Sequence, residues 1–127
     1  MISDNLNLIT AEVKKINKEA KIIAVIKKQN IDRTKEIVNL GVLNLGINYL
    51  QEFDNIKVQL SENIIWHYIG EIQSKKISKI VGSFELIHSV SSERILEKIN
   101  KVAETQGIIQ KILLQLNLSE ELTKSGF

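Results

Sequence analysis

Lys21-Ile22-Ile23-Ala24-Val25-Ile26-Lys27 is a short run rich in isoleucine and valine, bounded by lysines. It is long enough for a strand, too short for a helix, and its β-branched content suits a pleated chain. The apolar spacing changes on both sides of it. Upstream, Leu6, Ile9, Val13, Ile16 and Ala20 recur at steps of three and four, so a first helix is expected, capped by Ser3 or Asp4. Downstream, Asp32 or Thr34 opens a second helix with Ile37 and Leu40 facing inward, and Gly41 stops it.

The same alternation continues along the chain. Val42 to Gly46 reads as a strand, and Tyr49 to Leu60 as a helix carrying Leu50 and Phe53 on one side. Ile64 to Ile69 is a strand closed by Gly70; a short helix capped by Ser74 carries Ile77, Ile80 and Val81 and ends at Gly82. Phe84 to Val90 is a fourth strand. Ser91 or Ser92 starts a helix with Ile95, Ile99 and Val102 on one face and Gly107 at its end, and Lys111 to Leu118 is a fifth strand. Regular strand-helix alternation predicts parallel strands joined by right-handed crossovers. No linker or low-complexity stretch interrupts it, so residues 1–127 are expected to form one domain.

Two architectures fit this order: an open doubly wound sheet and a (β/α)₈ barrel. Both place ligands at the C-terminal ends of the strands. The first strand is followed by Lys27-Lys28-Gln29-Asn30, without the glycines that a dinucleotide or P-loop site needs. A barrel has eight strands and typically needs about 250 residues. The sequence supplies five, so a barrel of this type would be truncated and would leave two sheet edges open.

Composition excludes several functions. The chain has no cysteine, so disulfides and a cysteine nucleophile are ruled out; two histidines are few for a zinc site. A net charge of +2, with lysine pairs scattered over different elements, gives no reason to expect a nucleic-acid partner. No apolar stretch approaches the roughly 20 residues of a membrane span, and Met1-Ile2-Ser3-Asp4-Asn5-Leu6 lacks the pattern of a signal peptide. A cytoplasmic location without a membrane partner is the expectation.

Lys27, Asn48, Gly70, Ser89 and Asn117 fall at the predicted strand tips. Lys27 follows Ile23 and Val25 at steps of two, so its stem is expected on their face and partly buried. Burial favours a neutral amine, the form that condenses with an aldehyde, although a lysine beside Lys28 also suits the start of a solvated loop. Gln115 and Asn117 share a face of the last strand and need partners there. His67 and His88 read as hydrogen-bonded structural residues, because no Ser/Asp pair singles out a triad. Gln73-Ser74-Lys75-Lys76 begins a helix directly after a strand, a position that suits either an anion or an ordinary cap.

At these residues the chain resembles the pyridoxal phosphate homeostasis protein family, single-barrel relatives of the alanine racemase N-terminal domain. Ala24-Val25-Ile26-Lys27, Leu45-Gly46-Ile47-Asn48-Tyr49-Leu50-Gln51-Glu52, and Trp66-His67-Tyr68-Ile69-Gly70 with Gln73-Ser74 and Lys76 carry the likeness. His88-Ser89-Val90, and Leu116-Asn117-Leu118-Ser119 with Lys124-Ser125-Gly126-Phe127, extend it. The resemblance implies a pyridoxal 5′-phosphate carrier rather than an enzyme, with Lys27 holding the cofactor as a Schiff base. It makes Asn48 the neighbour on the lysine side of the ring, and Ser89 and Asn117 further wall residues. Ile47, Glu71 and Lys75 depart from the family pattern, and Lys28-Gln29-Asn30 replaces its Thr-Lys-Pro. Family members have three further strands whose loops hold the cofactor phosphate. The expectation is therefore impaired cofactor binding and, as a partner, a separately encoded C-terminal fragment. An inactive remnant and a racemase-like enzyme are the alternatives.

Overall fold

The computed structural model describes all residues, Met1–Phe127. Its five strands are β1 (Ala24–Val25), β2 (Asn44–Ile47), β3 (Ile65–Tyr68), β4 (Leu86–Val90) and β5 (Lys111–Leu114). All pair in parallel, in the spatial order β1-β2-β3-β4-β5. Sequential order decides between the two architectures, because a doubly wound sheet reverses direction at its first strand. The chain is a barrel-type β/α sheet of five strands.

Five α-helices join and precede these strands: α1 (Ile2–Ile16), α2 (Ile31–Asn39), α3 (Leu50–Ile56), α4 (Ile77–Ile80) and α5 (Glu93–Gln106). Residues opposite one another in a parallel ladder share a face. Ala24, Leu45 and Trp66 form one such row, and Ile47, Tyr68, Ile87 and Ile112 another. This face packs on the helices. Leu45, Ile47, Tyr68 and Ile87 join Phe53 of α3, Ile77 and Ile80 of α4, and Ile95, Ile99 and Ala103 of α5 in a cluster of 17 buried residues. Phe53 fixes the α3 contact, its ring edge-on to Trp66 at 5.2 Å and tilted against Phe84 at 4.5 Å.

The opposite face carries Val25, Gly46, His67 and Leu86 in register, with Asn44 paired to Ile65. Val25, Ile65 and Leu113 are exposed there, so the face that lines the interior of a closed barrel is open.

Several boundaries move from the sequence reading, each for a local reason. β1 shrinks to two residues because only Ala24 and Val25 find ladder partners on β2. Asn30, rather than Asp32 or Thr34, caps α2, its side chain accepting the Arg33 N–H at 2.9 Å. The helix from Tyr49 tightens into a 3₁₀ turn over Lys57–Gln59. Ser74 caps nothing; a 3₁₀ turn runs over Ser74–Lys76 before α4, and the Ser74 hydroxyl accepts a hydrogen bond from Arg94 Nη2 at 2.6 Å. Ser92 caps α5 and Gly107 ends it in the left-handed region, as read from sequence. The apolar residues of α1 reach no core: none of its residues is buried, and Ile9 and Ile16 are exposed.

Candidate functional site at the strand tips

Four βα connections meet at the C-terminal end of the sheet. Gly70 lets two of them approach closely: a Cβ there would lie 1.9 Å from the Asn48 carbonyl oxygen. The same glycine's carbonyl accepts a hydrogen bond from the buried Ser89 hydroxyl. The tips of β2, β3 and β4 are thereby tied together.

After β5 the chain turns back on itself. Its last ladder pair is Leu114 with Val90, the Gln115 N–H still donates to Val90 O, and the side-chain amides of Gln115 and Asn117 find partners in the following loop. Gln115 Nε2 donates to Ser125 O at 2.7 Å, and Asn117 Nδ2 donates to Glu121 O and Lys124 O at 3.0 and 3.2 Å. Phe127 then lies against Leu116 as a neighbouring parallel strand would, its N–H donating to Gln115 O and its carbonyl accepting from Asn117 N–H. The two amides thus find the partners they need in this loop, and both line the cavity that it forms.

Strand tips and loop enclose an open polar cavity of about 620 Å³. Asn48, Ser89 and Asn117 all line it, beside the hydroxyls of Ser91, Thr123 and Ser125. Asn48 Oδ1 is buried without a hydrogen-bond partner, an acceptor facing no donor. Ser89 has already given its proton to Gly70, so it can offer a ligand only its lone pairs.

Lys27 does not line this cavity. It is exposed in the turn after β1, with Nζ 6.0 Å from the centre of the Tyr49 ring. The partly buried stem expected from the two-residue spacing is corrected here. Val25 and Lys27 do follow one another on one side, but that side is the open face, and β1 ends before Lys27.

Below the tips, His67 is buried and bonded on both sides: Nε2 lies 2.9 Å from Asn44 Oδ1 and Nδ1 lies 3.0 Å from His88 Nε2. Burial, then the neighbouring His88, holds its pKa below the usual histidine value; Glu85 opposes the shift and Lys21 adds to it. Burial also lowers His88. Both imidazoles fit the structural role read from sequence.

Sequence reasoning missed Tyr49 and Glu52 beside the lysine turn, and the hydroxyls of the 119–125 loop. The first two stood inside a quoted motif and could have been found from their three-residue spacing at the start of a helix. The loop carried no periodic signal.

The architecture and this polar end define a parallel β/α module of barrel type with a ligand-sized site where its strands finish. No protein-family model matches the chain. It is 40% identical over 111 residues to the pyridoxal phosphate homeostasis protein of Buchnera aphidicola subsp. Schizaphis graminum, covering 86% of this chain and 48% of the relative. The protein of the same name from Buchnera aphidicola subsp. Acyrthosiphon pisum is 37% identical over 114 residues, with coverages of 87% and 56%. Among solved structures, PipY of Synechococcus elongatus without pyridoxal phosphate superposes with a TM-score of 0.85 at 29% identity, over 99% of this chain and 58% of PipY. The form with pyridoxal phosphate bound gives 0.83 at 28%. By sequence the chain is similar to pyridoxal phosphate homeostasis proteins, and by fold to PipY. It spans about half the length of the curated relatives it matches.

Proposed function

We propose that the chain contributes to holding pyridoxal 5′-phosphate at its strand tips, as a carrier rather than an enzyme. The cofactor supplies an aldehyde that condenses with a primary amine, losing water. Lys27 is the amine this reading assigns, and its exposed position leaves it accessible to a ligand at the mouth of the sheet. The single observation that carries the reading is the buried, unpartnered Asn48 Oδ1 in a polar cavity at the strand tips. Such an oxygen suits a donor on the ligand, a phenol or a pyridinium N–H. Ser89 and Asn117 form the wall, with the hydroxyls of Ser91 and Thr123 as further donors.

The binding of pyridoxal phosphate by PipY supports this assignment. The open sheet face supports a further element of it: the cofactor is retained firmly only when additional strands cover Val25, Ile65 and Leu113. A separately encoded C-terminal fragment is the partner that would supply them. No helix is long and apolar enough to cross a membrane; a cytoplasmic carrier formed as one partial barrel unit is the setting this reading adopts.

The test is to mix the protein with pyridoxal phosphate, reduce with borohydride and locate the label by mass spectrometry. Selective labelling of Lys27 supports the proposal. Label spread evenly over the lysines, unchanged by adding the C-terminal half of a relative, overturns it.

A further inference from the structure

The turn that carries Lys27 has an unusual backbone. Gln29 N–H donates to Ile26 O at 3.0 Å, closing a tight turn with Lys27 and Lys28 at its centre. Lys28 sits there at φ +56°, in the left-handed region that favours glycine and penalises a long side chain. The surroundings must hold it in place. Ile26 anchors one end by burial, and Asn30, capping α2, anchors the other. Across the turn, Glu52 of α3 reaches over: its Oε1 accepts the Lys28 N–H at 3.4 Å. Its second oxygen, Oε2, is buried and has no partner.

A carboxylate that gives up the hydration of one oxygen while the other meets a strained turn is held by position rather than by a saturated set of hydrogen bonds. Tyr49, which the Lys27 ammonium overlooks, lies three residues before Glu52. The start of α3 thus presents both to the same turn.

We infer that Glu52 is a positioning residue for Lys27: by tethering the Lys28 N–H it keeps the turn left-handed and directs the Lys27 amine over Tyr49, toward the Asn48 tip. This rests on the assignment of Lys27 above. It adds that α3, rather than the strand, decides where the amine points. The role belongs to the accepting oxygen, so Glu52→Gln keeps it and Glu52→Ala removes it. Glycine adopts a positive φ without strain, so Lys28→Gly makes the tether dispensable.

The experiment compares wild type, Glu52→Gln, Glu52→Ala, and Glu52→Ala combined with Lys28→Gly, each shown to be folded by circular dichroism. Amide exchange at Lys28, measured without cofactor, reports the tether; the share of borohydride-fixed pyridoxal phosphate on Lys27 reports the aim. Expected are a rise of about tenfold in Lys28 exchange in Glu52→Ala, as for an amide released to solvent, and a several-fold fall in the Lys27 share. Glu52→Gln should match wild type in both, and the double variant should recover the Lys27 share. Unchanged Lys28 exchange in Glu52→Ala, or failure of Lys28→Gly to restore the share, overturns the inference. If wild type shows no preference for Lys27, the cofactor assignment fails instead, and the exchange comparison alone decides the tether.

Discussion

His67 and His88 are joined across β3 and β4 by one hydrogen bond, Nδ1 of the first lying 3.0 Å from Nε2 of the second. The Asn44 oxygen on the far side of His67 can only accept, so His67 carries its proton on Nε2. Its Nδ1 is then the acceptor and His88 Nε2 the donor. One chain of hydrogen bonds therefore runs β4 to β3 to β2 on the open face of the sheet. It is lost when both imidazoles are protonated, because two ring N–H groups then face each other across the 3.0 Å contact.

Acid should weaken the fold for this reason. The folded state keeps both imidazoles below the ordinary histidine pKa, so the unfolded chain binds protons first. The stability is fully present above about pH 6.5 and is lost as pH falls through the lowered folded values. Glu85, which faces His67 and is ion-paired with Lys111, opposes the shift, and Lys21 reinforces it. Urea unfolding followed from pH 8 to 5 is expected to show the decline. His88→Leu leaves His67 Nδ1 unpaired and should cost about 1–3 kcal/mol at pH 7.5. Equal stability at pH 8 and 5 would contradict this account.

Gly70 and Gly46 should respond differently to the same change. A Cβ on Gly70 would collide with the Asn48 backbone at 1.9 Å, whereas one on Gly46 would meet the Ile69 side chain at 3.0 Å, which can turn away. Gly70→Ala is expected to destabilise by more than about 3 kcal/mol, and Gly46→Ala by less than that. Thermal melts of the two variants decide it; comparable losses would show that the tips of β2 and β3 are not locked together.

The two faces of the sheet should also separate by mutation. Ile87 is fully buried under the helices, and Ile87→Ala is expected to cost about 2–5 kcal/mol. Leu113 is 48% exposed on the open face, and its replacement by alanine should change stability by less than about 1 kcal/mol. If a complementary fragment binds the open face, Leu113→Ala should instead weaken that association, which titration calorimetry would register.

Lys27 is exposed, so Lys27→Ala should leave the melting temperature unchanged within about 2 °C while removing the principal site of pyridoxal phosphate labelling. No alanine racemisation is expected from the purified protein with or without this substitution. Turnover that depends on Lys27 would replace the carrier assignment with an enzymatic one.

The alternation of Ile/Val runs with three- and four-residue apolar spacing determined a parallel β/α chain. Local signals also fixed individual ends: Ser92 and Gly107 bracket α5 because a hydroxyl cap and a left-handed glycine act within one turn of helix. The residues at the strand tips were legible for the same reason, since a strand's end is a local event. Tertiary structure alone decided what those residues meet. Strand order, sequential rather than doubly wound, is a matter of pairing between segments about twenty residues apart, which no local pattern encodes. The parity of Lys27, which follows Ile23 and Val25, predicts a partly buried stem. Whether that parity faces a packed core or an open sheet depends on what covers the face. Gln115 and Asn117 looked like site residues because unpaired amides need partners; the loop that supplies them returns only in three dimensions. The His67–His88 bond likewise joins two residues 21 apart, brought together by the β3–β4 pairing.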